Sequence, residues 1–223
     1  MRSNLQAMTR LISELNLQER HVHELQRTPF WDFFRPFVQG KVKLKCVKKF
    51  DEDVVKILKT YTPTYKGFQI SDELLSLRSS DFVLIFGIHT GAEDITLGVV
   101  KKPNQQLVDW ICAGEKRLNP PAIERLLLQS LQKTGKEDSE DVARLLCLYA
   151  FVTVFFPTSG TQLSWSYVPY VENLDDMKKY NWPSAIKSYL EASIQKLHNT
   201  QNNVTSCVIA VLGEIGDQRA SAL

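Results

Sequence analysis

Apolar residues recur along this chain at helical spacing in most segments, and at strand spacing in only a few. Leu5, Met8, Leu11, Ile12, Leu15, Val22 and Leu25 step by three and four, which predicts an amphipathic helix within residues 4–27, with a slip near Asn16. "TPFWDFFRPF" (28–37) reads as a short aromatic helix with Pro29 in its first turn and Pro36 near its end, its rings serving as core. In residues 42–61 an alternating start gives way to Phe50, Val54, Val55 and Leu58, and a helix is expected from about Asp51. "GFQI" and "ELLSL" read as two short strands around a Ser-Asp turn. Ser79 or Ser80 then caps "DFVLIF", which Gly87 closes at a position needing positive φ. Residues 89–119 are polar and weakly periodic, the pattern of a mobile loop or insertion.

The second half is more strongly apolar. Asn119 as N-cap, Pro120 at the first position and Gly135 as stop frame one helix. "LLCLYAFVTVFF" (145–156) then holds eleven apolar residues in twelve, and Pro157 follows. A bilayer needs about 20 such residues. "KEDSEDVAR" precedes the run and proline ends it, so it predicts a helix opened by Asp138 or Ser139 and enclosed by protein. Residues 157–180 read as a turn-rich connection with one short helix near "VENLDDM". Asn181 and Pro183 open a further helix with Ala185, Ile186, Tyr189, Leu190, Ile194 and Leu197 on one stripe. "VTSCVIAVL" (204–212) is a buried helix or strand. The pattern gives one mainly α domain around a buried central helix, with a small β-hairpin.

Composition changes this picture little. Of 223 residues, 43% are hydrophobic and 23% charged, as in ordinary globular proteins rather than disordered ones. A net charge of +2 is too small to define nucleic-acid or membrane affinity for the whole molecule. Cys46, Cys112, Cys147 and Cys207 are widely spaced, the usage of a reducing compartment. The first residues lack a signal peptide's apolar stretch, and Glu14 and Glu19 argue against a mitochondrial presequence. A nuclear or cytoplasmic protein is expected.

Candidate chemistry is sparse. His21 and His23, two apart on a helix, do not face each other, so they read as surface or capping groups rather than a metal pair. "GIHTGAED" and "TGKEDS" lack the Gly-Lys-Ser/Thr of a phosphate loop, and "PTSG" with Ser159 lacks the nucleophile elbow. Cys147 and Cys207 sit in apolar runs, which leaves thiols inert. Asp51/Asp53 and Asp175/Asp176 fall at helix starts, where acids suit the dipole. "KVKLKCVKK" concentrates Lys41, Lys43, Lys45, Lys48 and Lys49. As a strand it would put Lys41, Lys43 and Lys45 on one face and Val42, Leu44 and Cys46 inward. These lysines form the candidate partner-binding segment, for an acidic protein or for nucleic acid.

Two stretches carry a resemblance. "ISDELLSLRSSDFVLIFGIHTGAEDI" (70–95) resembles a hairpin, then an Asp-Phe-x-x-Ile-Phe-Gly-Ile type helix, then a glycine-containing loop. Residues 144–194 resemble the later half of the same family: an apolar helix ending in Pro-Thr-Ser, a Val-Pro segment, an acidic Leu-Asp-Asp and a Tyr-x-Trp-x-x-Ala helix start. The family is the plant mobile domain, also called aminotransferase-like, with related transposon-borne domains often fused to SUMO-protease-type peptidases. The resemblance implies a transposon-derived domain, some members of which act in nuclear silencing with phosphatase-like partners. It implies neither transaminase nor peptidase activity, since no Schiff-base lysine setting and no peptidase segment is recognisable here.

The resulting expectations are an N-terminal amphipathic helix (1–27), a helical domain (28–215) and a divergent tail (216–223) that departs from the family as a truncated or re-spliced end would. The function expected is non-catalytic protein binding, with no cofactor, no metal and no membrane. The alternatives are a nucleic-acid-binding accessory domain and an enzyme whose site would join His89, Cys112 and acids of 89–119.

Overall fold

The computed structural model describes residues 4–44, 56–96, 108–109, 117–158 and 160–200, with the side chains of 197–200 excepted. The chain begins with two helices where the pattern slips. Helix α1 (Leu5–Glu14) is capped by Asn4, whose side chain accepts the Ala7 N–H at 3.0 Å. Helix α2 (Glu19–Gln26) follows a break at residues 15–18, so the expected single helix of 1–27 is a pair. Helix α3 (Trp31–Val38) starts later than expected, because Thr28 and Pro29 form a turn in which Thr28 Oγ1 donates to the Leu25 carbonyl at 2.8 Å. Gly40, at φ 66°, ends it, and the Lys41 N–H donates back to the Pro36 carbonyl at 2.9 Å.

Residues 56–59 are helical, and the start expected near Asp51 lies outside the described residues. The predicted hairpin is present as β2 (Gly67–Ile70) and β3 (Glu73–Leu75), with Ser71 and Asp72 between them. Strand β1 (Tyr61–Thr62) adds a third antiparallel strand in the order β1-β2-β3, pairing Tyr61 with Phe68 and Phe68 with Leu75. Those three side chains share one face, and Tyr61 and Phe68 are buried on it.

Helix α4 (Ser79–Phe86) is capped differently from expectation. The Asp81 carboxylate, rather than a serine hydroxyl, accepts the Arg78 N–H at 2.5 Å. Gly87 does close the helix, at φ 64°. A Cβ there would approach Cβ of Asp32 to 2.6 Å, so this glycine also permits α4 to seat on the start of α3.

Helix α5 (Pro120–Leu131) has the predicted cap, Asn119 accepting the Ala122 N–H at 2.9 Å. Gly135 does not stop it, since α5 ends at Leu131. Gly135 instead precedes α6 (Lys136–Ala150), and its N–H is held by Asp138 at 3.1 Å. The predicted opening at Asp138 or Ser139 is therefore displaced by about one turn, because the Asp138 carboxylate reaches back to the residue before the helix.

The enclosed central helix is borne out. Every residue from Leu145 to Phe156 is buried, on α6 and the π-helical turn Phe151–Phe155 that continues it. Rings from α3, from the residue before it and from α7 (Trp182–Thr200) converge there: Phe30 lies 5.3 Å from Phe151 and 5.1 Å from Trp182, and Phe33 lies 4.9 Å from Phe155, centroid to centroid. Burying each such ring contributes roughly 2–3 kcal/mol, and each ring pair about 1 more. Between the π turn and α7 the chain forms two 3₁₀ segments, Trp165–Tyr170 and Asp176–Lys179, where one short helix was expected. Of the predicted stripe on α7, Ala185, Ile186, Leu190 and Ile194 are buried and Tyr189 is half-buried, while the side chain of Leu197 lies outside the described residues. The apolar run at 204–212 and the tail at 216–223 lie outside the described residues.

Candidate functional site

The two stretches singled out in the sequence meet at one seam. Residues 88–96 leave α4 and run along 179–181. The Gly91 N–H donates to the Tyr180 carbonyl at 3.0 Å, the Glu93 N–H to Lys179 at 2.8 Å, and the Asn181 N–H back to Glu93 at 2.7 Å. Asn181 also donates weakly from its amide to Asp94, at 3.5 Å, while its own side-chain oxygen caps α7 through the Ser184 N–H. The described part of the predicted polar loop is therefore tied down by backbone pairing, which its side-chain pattern does not reveal. His89, Thr90, Glu93, Asp94, Lys178 and Lys179 are exposed along the seam. The Asp176 carboxylate, 2.5 Å from the Lys179 ammonium, holds that lysine above its ordinary pKa. Behind the seam, Tyr170, Tyr180 and Trp182 stack edge to face. The arrangement presents charged side chains of both signs on a fixed backbone, which suits recognition of a polar surface.

A second cluster ties α2 to α6. Arg27 donates to Glu140 at 2.9 Å and to both oxygens of Asp175, at 3.0 and 2.5 Å, and it pairs with Glu24. Arg144 donates to Asp141 at 2.6 Å, to Glu140 at 2.8 Å and to the Glu172 carbonyl at 3.0 Å. These bidentate and shared guanidinium contacts raise the pKa of Arg27 further, and they lower those of Glu140 and Asp175. Asp141 behaves oppositely. Its burial outweighs the pairing with Arg144 and lifts its pKa to about 6. The i,i+3 and i,i+4 spacings of Glu24/Arg27 and Glu140/Asp141/Arg144 were readable in the sequence; the partnership with Asp175 was not.

Of the candidate lysines, Lys41 and Lys43 are exposed just beyond the end of α3, and Lys45, Lys48 and Lys49 lie outside the described residues. The strand alternation holds at Val42, which packs against the core, and fails at Leu44, which is 51% exposed. No strand forms over 41–44.

The two histidines separate. His21 is buried and its Nδ1 accepts the Gln18 N–H at 3.1 Å, capping α2, while His23 is exposed with Nδ1 3.2 Å from Glu24. Burial lowers the His21 pKa, with Arg20 adding to the effect. Among the described residues, no group of three or more His, Cys, Asp or Glu side chains is placed to hold a metal ion. Cys147 is a free, fully buried thiol whose pKa is raised by burial. Cys46, Cys112, Cys207 and Ser159 lie outside the described residues. Among the described residues, no helix is long and apolar enough to cross a membrane.

This geometry defines a mainly α protein with a small antiparallel sheet, organised on a central buried helix. Residues 39–212 match the family described as "Domain of unknown function (DUF8566)", and the chain belongs to that family. Neither the curated proteins nor the solved structures contain a match to it.

Proposed function

We propose that this chain is a non-catalytic protein-interaction domain of plant transposon origin, of the plant-mobile-domain type, acting in the nucleus or cytoplasm by holding a protein partner. The observation that supports this reading is that, among the described residues, the following buried reactive groups are committed to architecture. His21 and Asp81 cap helices, Glu24 and Asp141 pair with Arg27 and Arg144, and Cys147 is sealed in the core. Chemistry at a site needs such groups aimed at a substrate. Here they face the protein's own backbone and side chains. Tagged protein purified from plant tissue is expected to bring down a stoichiometric partner, and its repeated recovery alone would count against the proposal.

Nucleic-acid binding is the second reading, favoured by the exposure of Lys41 and Lys43. It predicts a gel shift that weakens with salt and with Lys41→Glu plus Lys43→Glu. Absence of binding at low salt would dispose of it.

A further inference from the structure

Residues 4–38 precede the part of the chain that matches the family, and they pack against it. The centre of the contact is apolar. Phe30 lies between Phe151 and Trp182, and Phe33 rests on Phe155. Arginines of the N-terminal segment stand at its rim. Arg10 reaches Glu124 at 3.4 Å, Arg20 the carbonyl of Lys133 at 3.0 Å, and Arg27 both Glu140 and Asp175. In each of these contacts the arginine belongs to the N-terminal segment and the acceptor to residues 117–200. An apolar centre inside a rim rich in arginine is the anatomy of a protein interface, and complementary charge around it sets the orientation of a partner. The Asn4 N–H closes the contact on the Thr153 carbonyl at 2.8 Å. Gly40 follows α3 in the left-handed region, exposed, with open space around it.

We propose that the face built by the end of α4, α5, α6, the π turn and the start of α7 is a docking site for an arginine-bearing helical segment that presents a Phe-x-x-Phe-Phe core, and that residues 4–38 occupy it in cis as a separable ligand. The proposal rests on the interaction reading above and names the class of partner that such a face accepts.

The test uses the full chain with a protease site inserted between Gln39 and Gly40, its folding checked by circular dichroism before cleavage. After cleavage the two pieces are expected to elute as one complex. Unfolding and refolding the cleaved protein with an excess of fluorescently labelled peptide 1–39 is expected to place the label in that complex. The same peptide carrying Arg27→Glu is expected to be taken up at least about tenfold less well, because the change sets a carboxylate against Glu140 and Asp175. Separation of the pieces on cleavage, exclusion of the labelled peptide after refolding, or equal uptake of the Arg27→Glu peptide would each overturn the proposal. If the intact protein captures a stoichiometric partner while the labelled peptide is refused, this assignment fails and the interaction reading stands. If both fail, both are wrong.

Discussion

Gly91 lies directly against the peptide group of Lys179, so close that a Cβ on Gly91 would fall inside that carbonyl. The contact is backbone on backbone, with no flexible side chain to give way, and the hydrogen bonds on either side fix its register. Gly91→Ala is therefore expected to lift residues 90–94 off residues 179–181. A loss of about 2 kcal/mol in urea-induced unfolding should accompany it, with faster amide exchange at Gly91, Glu93 and Asn181. Unchanged exchange at these amides would contradict the packing.

Phe30→Ala tests the central cluster. The ring is fully buried and contacts Phe151, Phe155 and Trp182. Truncation should cost roughly 3–5 kcal/mol, enough to leave a marginal fold. Exposed Tyr65→Ala, by contrast, should stay within about 0.5 kcal/mol of the parent. Chemical denaturation of both variants measures the difference.

Asp141 should impose an unusual pH dependence. Its pKa in the folded chain is about 6, above its ordinary value of 3.8. The folded state thus binds a proton between those values while the unfolded state does not. Stability from this group is lowest above pH 6 and grows as pH falls towards 4. Glu140 and Asp175, whose pKa values are lowered, act in the other direction. Their contribution is present above their ordinary range and is lost as acid protonates them in the fold. Asp141→Asn should remove a slope of up to about 1.4 kcal/mol per pH unit between pH 4 and 6. Unfolding curves across that window, in parent and variant, decide the point.

Ser71 occupies the hairpin turn at φ 53°, a region that costs a residue bearing a Cβ about 1 kcal/mol. Ser71→Gly relieves that cost and gives part of it back as chain entropy in the unfolded state. A net gain of about 0.5 kcal/mol is expected, read as a rise in Tm with the hairpin's amide pattern unchanged.

Much of this architecture was legible before any coordinates, and the reasons are local. The run at 145–156 announced its burial through length, flanking charge and Pro157. Asn119 and Gly87 signalled a helix start and a helix end through side-chain chemistry that acts within a few residues. Misplaced boundaries came from groups whose effect depends on a neighbour's reach. Gly135 and Asp138 together open α6, although the glycine alone reads as a stop, and Asp81 outcompetes the serines beside it. Strand β1 is two residues long, too short for a period to register. The seam at 90–94 escaped notice because backbone pairing leaves no mark on side-chain pattern. The lysine segment was visible as composition, but alternation could not foretell that Leu44 would face solvent.

Thr153 stands four residues before Pro157, which has no N–H to offer its carbonyl, and the group is satisfied instead by the Asn4 amide. The last turn of the hub is thus finished by a residue that stands just before α1, far earlier in the chain. During synthesis α1 and α2 must wait, with Met8 and Leu25 uncovered, until the hub emerges far downstream. Closure over so long a stretch of sequence is entropically slow. The apolar faces of α1 and α2 consequently stay uncovered while the stretch between them and the hub is made, and chaperone dependence in the cell should track the time taken to complete α7 rather than the speed at which any single helix winds.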